Sequence, residues 1–264
     1  MIENYGTDLL VSDWQGSHGI NEFMEDRDDW QDIENSSPEN RELGEVLRKL
    51  EGLHHNGSPL DWQEPRERRG DALAPLLKAC PKSLSLTALL EGTEYEVGGD
   101  EHHLVQVESQ PERIYKITHS DSFGCFSQFL PSDPELSGRH FYATVNDDPR
   151  VYIRRWMLLN TLGEYQTRYE GFLWPQKELF VPRICVSQPF LESENPSELE
   201  IKESFALYGF YQISVDTYLN TATNILLTDT APRNVRVIDG VPVPFDAIAS
   251  LASPEIMDWA LQSE

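Results

Sequence analysis

The sequence predicts an α+β fold. Three observations carry this. Alternating β-type runs recur from residue 95 onward, helical periodicity is confined to a few separated stretches, and turn-forming pairs punctuate the runs. With 264 residues, 39% hydrophobic and 25% charged, the chain can bury one good core or two small ones, at the polar end of globular compositions.

Residues 1 to 36 crowd Glu22, Glu25, Asp26, Asp28, Asp29, Asp32 and Glu34 together, which predicts an acidic, disordered segment. Ile20, Phe23, Met24, Trp30 and Ile33 are interleaved with these charges. The alternative is therefore a short segment that folds onto a partner or onto the body of the chain. Residues 37 to 89 read as a helical extension. Ser37 can cap, Pro38 suits a first helical position, and Leu43, Val46, Leu47 and Leu50 recur at helical spacing. Asp71 to Cys80 repeats the device with Leu73, Leu76, Leu77 and Cys80 on one face, and His54 to Arg69 reads as a linker.

Beyond residue 90 the pattern is strand-rich. Leu104 to Val107 and Arg113 to Thr118 predict a hairpin turning at Gln110-Pro111-Glu112. Val151 to Leu162 predicts a helix and Ile184 to Leu191 a buried strand leading into a connector. Ser197 and Glu200 form a capping box, after which Ile201, Phe205 and Tyr208 share a face as far as Gly209. Asn224 to Thr228 is an apolar strand. Asn234 to Ile238 and Val241 to Phe245 alternate around Asp239-Gly240, a strong two-residue hairpin signal, and Pro254 to Gln262 is a last short helix.

Net charge is −24, from 45 acidic against 21 basic residues, which disfavours direct nucleic-acid binding because phosphate contacts require clustered Lys and Arg. The same excess suits a DNA mimic or a partner of a basic protein, or simply solubility. Three cysteines, Cys80, Cys125 and Cys185, are odd in number and lack metal-ligand spacing, which predicts a reducing compartment without a disulfide framework. No leader-like or membrane-length apolar run is present, so the expectation is a soluble, cytoplasmic protein with no membrane partner. The pairs His54-His55 and His102-His103 make poor metal sites, because neighbours in a strand point to opposite faces.

The chemistry concentrates near the C-terminus. Asp229 is followed five residues later by Asn234 and, across the hairpin, by Asp246. A carboxylate beside an acceptor hydroxyl, an amide and a second carboxylate are the parts that phosphoryl transfer requires for its acceptor and its magnesium. Asp-x-Ala-Pro is equally ordinary loop chemistry, because Asp bonds its own backbone and Pro presets a turn.

Other stretches fall into the same order. They are Gly99 to Val105, Arg113 to Thr118, Phe123-Gly124, Tyr152-Ile153-Arg154-Arg155 with Asn160, Val186 to Phe190, Gly209-Phe210, Asp229 to Val235 and Pro244-Phe245-Asp246. Together they make residues 90 to 250 resemble the kinase-like domain of polyvalent proteins, the multi-domain proteins of phages and bacterial conjugative elements. The resemblance implies a two-lobed, protein-kinase-like fold, with an N-lobe over 90–187 and a reduced C-lobe over 188–264. It implies a phosphotransferase that uses ATP and magnesium to phosphorylate a hydroxyl on an unknown protein or small-molecule acceptor. Asp229 would be the catalytic base, with Asn234 and Asp246 the metal ligands. Lys116, Gly98 and Gly99 would meet phosphate, and Gln188 and Phe190 would offer hinge donors to the adenine, since Pro189 has no N–H.

Two departures accompany the resemblance. The predicted helix over Val151 to Leu162 contains no glutamate to pair Lys116, leaving Glu101, Asp147, Asp148 or Glu164 as stand-ins. Thr228 precedes Asp229 and Ala247 follows Asp246, where many kinases carry His-Arg and Phe-Gly. A catalytically inactive binding module of the same fold is the alternative function, and an acidic mimic or basic-protein binder is the third.

Overall fold

The computed structural model describes residues 29–55, 58–59, 95–96, 101–119, 122–131, 138–173 and 183–262. The predicted helix over Asp71 to Cys80, the pair Gly98-Gly99 and residues 1–28 lie outside them. The fold is α+β with mostly antiparallel sheets and few helices.

The described chain starts with α1 (Asp29–Asn35), followed by α2 (Pro38–Glu51). Ser37 caps α2 by accepting from the Asn40 N–H, and Leu43, Val46, Leu47 and Leu50 form its buried stripe. Within the segment expected to be disordered, Asp29–Asn35 form a helix. Trp30 and Ile33 pack against the main core, and Arg154 sits 5.5 Å from the Trp30 ring. The interleaved apolar residues outweigh the local acidity once a core is there to receive them. In place of an uninterrupted linker, the short strands β1 (His54–His55) and β2 (Ser58–Pro59) pair.

Next come β3 (Tyr95–Glu96), β4 (His102–Val107), β5 (Gln110–Thr118), the hairpin β6 (Cys125–Phe129) and β7 (Phe141–Val145), α3 (Pro149–Asn160), β8 (Arg168–Leu173) and β9 (Arg183–Pro189). Five of these strands form one antiparallel sheet in the order β3-β4-β5-β9-β8. The β4–β5 turn falls at Glu108-Ser109, two residues before the predicted one. Pro111 is tolerated inside β5 because the pairing with β9 begins only at Arg113. α3 starts at Pro149 because Asp148 caps it, accepting from the Arg150 N–H.

α3 is the central element. Its residues Tyr152 to Asn160 are all buried, and it packs on α2 and on the later strand Ile248–Leu251, while Tyr152 and Trp156 meet His102 of the five-stranded sheet. The rest of the chain comprises α4 (Glu198–Leu207), β10 (Tyr211–Ser214), β11 (Thr217–Asn220), β12 (Ile225–Thr228), the hairpin β13 (Arg236–Ile238) and β14 (Val241–Val243), β15 (Ile248–Leu251) and α5 (Pro254–Gln262). The capping box at Ser197 and Glu200 opens α4. Gly209, at φ 76°, closes it with Phe210 N–H bonded to Phe205 O and Gly209 N–H to Ala206 O.

The second sheet has the order β10-β11-β12-β15. One hydrophobic cluster runs from Leu47 and Trp156 through Ile184 to Phe205, Tyr218, Leu227 and Ala249, so a single core joins both halves of the chain. The β6–β7 hairpin adds a second tie, with Phe129 and Phe141 against Trp259 of α5. The division drawn at residues 187 and 188 falls inside β9. Among the described residues no helix is long and apolar enough to cross a membrane.

Candidate functional site

Strand alternation sets the first residue of the site. Tyr115 and Ile117 enter the smaller cluster on one face of the five-stranded sheet, which sends Lys116 to the opposite face, where α3 lies. Its ammonium is 5.1 Å from the Trp156 ring and 5.4 Å from the Phe245 ring. It donates to Phe245 O and to Asp246 Oδ1, each at 2.7 Å. Burial pulls the Lys116 pKa below its ordinary value, with Asp246 opposing the shift.

Antiparallel pairing brings the acidic loop residues to the same place. Thr228 at the end of β12 faces Ile248 at the start of β15, so the chain leaving β12 and the chain entering β15 are adjacent. The β13–β14 hairpin occupies the intervening sequence, with Asp239 at φ 52° and Gly240 at φ 80°, both left-handed as a primed two-residue turn requires. Asp246 N–H donates to Asn234 O at 3.2 Å, Asn234 N–H to Ala231 O at 2.8 Å, and Asn234 Nδ2 to Asp229 O at 2.8 Å. The amide oxygen of Asn234 takes no part in that last bond.

Asp229 has φ 51°, but Asp216, Asn224 and Asp239 share the left-handed region, which Asp and Asn tolerate. The strain alone therefore marks nothing. Arg233 Nη2 lies 3.1 Å from Asp229 Oδ1. Burial raises the Asp229 pKa, Arg233 opposes this, and the nearby Glu101 and Asp246 charges add to it.

Arg155 completes the arrangement. Its Nε donates to Ala247 O at 2.9 Å, its Nη2 to Asp246 O at 2.9 Å and its Nη1 to Glu101 Oε2 at 2.7 Å. Burial would raise the Asp246 pKa, but the Lys116 and Arg155 cations hold it well below the usual carboxylate range. Asp246 is nonetheless about a third exposed at its side chain, 35%, so one side of the carboxylate remains open. His102 lies behind this group, its Nε2 3.0 Å from the buried Tyr152 hydroxyl and its Nδ1 3.6 Å from Glu101 Oε2.

Lys116, Asp229, Asn234 and Asp246 thus converge from two sheets. The two residues expected to offer hinge donors behave differently. Gln188 turns into the core, where its Nε2 donates to Thr167 Oγ1 at 2.9 Å. The Phe190 N–H donates to Glu112 O at 2.8 Å, so that donor is already spent in the structure and is not open to an adenine edge. Glu101, one of the expected stand-ins for the partner of Lys116, bonds Arg155 and not the lysine, and neither His102 nor Arg155 was assigned a role from the sequence. The pair Arg154-Arg155 inside the apolar run from Tyr152 to Leu159 was the available signal, without telling the two apart.

Two sets of ligands are possible for a cation. Asn234 and Asp246 offer oxygen donors of the hard kind that magnesium prefers, with the Lys116 ammonium at Asp246 Oδ1. Glu101, His102 and Asp246 also bring ligand atoms within 4.8 Å of one another. Both carboxylates of that trio already face Arg155, and Asp246 faces Lys116 as well, so an ion there would meet two buried cations. Compared with known family models, curated proteins and solved structures, the chain matches none.

Proposed function

We propose that the chain is a phosphotransferase of the kinase-like type that uses ATP and magnesium to phosphorylate a hydroxyl group. The observation that carries this reading is the meeting of Lys116 with the Asp246–Asn234–Asp229 group. The Lys116–Asp246 contact spans 130 residues of sequence at 2.7 Å. The strand order also supports it. α3 is inserted between β5, which bears the lysine, and the strands β8 and β9 that complete the sheet, so a helix side chain is set against the strand lysine. β12 and β15 flank the loop and hairpin as a phosphoryl-transfer site needs, with Asp229 and Asp246 at adjacent strand ends.

In this reading Asn234 and Asp246 would hold magnesium, which would supply neutralisation of phosphate charge. Lys116 exchanges its bond with Asp246 for one to phosphate. Asp229 accepts the proton of the attacking hydroxyl as its oxygen bonds to the γ-phosphorus and the bond to the ADP oxygen breaks. Its burial, which favours the protonated form, suits that role.

A second reading, a nucleotide-binding module without turnover, is favoured by one observation. In α3 the side chain facing this group is Arg155, not a glutamate that would fix Lys116. Thermal unfolding with ATP and magnesium tests both. A ligand at a hundredfold excess over its dissociation constant stabilises the fold by about 2.7 kcal/mol. No shift at millimolar nucleotide overturns both readings and leaves the acidic-surface function. A shift abolished by Lys116→Met, without transfer of γ-phosphate to water, the protein itself or a cell lysate, selects the binding module.

A further inference from the structure

Arg155 stands in the middle of α3 among Ile153, Trp156, Met157, Leu158 and Leu159, all buried, and is itself 1% exposed at its side chain. A position that only had to fill volume would carry another apolar residue. A buried guanidinium is costly unless its donors are matched. Here Nε, Nη1 and Nη2 each have an acceptor, and the ring of Trp156 lies 4.9 Å from the guanidinium carbon.

The distribution of these bonds is informative. Two go to main-chain oxygens, Asp246 O and Ala247 O, and so restrain the backbone that carries the Asp246 carboxylate. The carboxylate itself is left to Lys116 at 2.7 Å, while Arg155 Nη2 stays 3.9 Å from Oδ1. The third bond ties Arg155 to Glu101, two residues after Gly99 at the entrance to β4.

We infer that Arg155, oriented by Glu101, is a positioning residue for the metal-binding carboxylate Asp246, so that α3 holds the metal side of the site and not the lysine. This rests on the phosphotransferase reading above. Because two bonds from Arg155 run to backbone oxygens and the third to Glu101, none of them has to break for the Asp246 carboxylate to turn to magnesium. A lysine at this position would keep the charge but could not make the three-way planar contact.

The test measures ATP affinity calorimetrically, once with magnesium and once with EDTA, for the wild type, Arg155→Lys and Glu101→Gln. Residues that orient a metal ligand typically contribute 10–100-fold to metal affinity. The magnesium-dependent gain in ATP affinity should therefore fall by roughly tenfold or more in Arg155→Lys. Affinity in EDTA, carried by Lys116, should be unchanged. Glu101→Gln should move in the same direction by a smaller factor, and it carries the test if Arg155→Lys does not fold. A residue needed only for folding would lower both affinities together or neither. An undiminished magnesium gain in the folded variants overturns the inference while leaving the phosphotransferase reading intact. A wild type that binds no ATP in either buffer overturns that reading and this inference with it.

Discussion

Mild acid should destabilise this fold through one histidine. His102 is 3% exposed and lies between the Tyr152 hydroxyl and Glu101. The Tyr152 hydroxyl, kept protonated by burial, lies 3.0 Å from His102 Nε2, and Glu101 Oε2 lies 3.6 Å from His102 Nδ1. Burial is also the main influence on His102 and lowers its pKa from 6.5 to about 4, with Glu101 and Asp246 opposing and Lys116 and Arg155 assisting. In the unfolded chain the same group titrates near its ordinary value.

Between those two values the unfolded chain binds a proton that the folded one refuses, so stability falls as pH falls. The contribution is fully present above 6.5 and gone below about 4. A pKa lowered to that extent is worth roughly 3 kcal/mol. Other carboxylates add their own acid dependence, so the measurement is a difference. Urea unfolding of the wild type and of His102→Gln, which cannot titrate, should show a stability gap that shrinks by roughly 3 kcal/mol between about pH 7 and pH 4. A gap that stays constant with pH would refute the reasoning. It would mean that His102 titrates alike in the folded and unfolded chain, and a gap that widens in acid would mean that the charged imidazole is paired in the fold.

Three further outcomes are expected. Asp246→Asn should weaken magnesium-dependent nucleotide binding and abolish turnover together, whereas Asp229→Asn should lower turnover and spare binding; equal losses at both positions in nucleotide titration and turnover assays would contradict the separate roles. Asn40→Ala should cost about 2–4 kcal/mol in chemical denaturation, because the buried amide serves Ile33 O, Met157 O and the Asn160 side chain, and its removal strands partners as well as bonds. Deleting residues 1 to 36 should lower stability by about 2–4 kcal/mol through the lost packing of Trp30 and Ile33, and an unchanged melting temperature would show that α1 contributes nothing.

Local signals were the legible ones. Ser37-Pro38, the Ser197–Glu200 box, Gly209 and Asp239-Gly240 specify caps and turns through atoms within a few residues of one another, and the elements they bound appear with those ends. Asp148-Pro149 carries the same signal as Ser37-Pro38, and reading it would have started α3 at Pro149 and not at Val151. Pro111 was misplaced as a turn residue because its tolerance depends on where β9 begins to pair, which is not a local property. The acidity around Trp30 masked α1 for a related reason. Whether two apolar side chains repay ordering a helix depends on the surface that receives them.

The order of chemistry-bearing residues, the spacing of Asp229, Asn234 and Asp246, and the strand position of Lys116 are properties of the sequence by itself, because spacing along the chain defines them. Only the tertiary structure decided which groups share an electrostatic environment. Burial set Arg155 between Asp246 and Glu101, placed His102 beside Glu101 and turned Gln188 inward, and the bond to Glu112 consumed the Phe190 N–H. The physical reason is that a buried charge or donor must find its complement wherever the fold brings one within about 3 Å, however far away it lies in sequence.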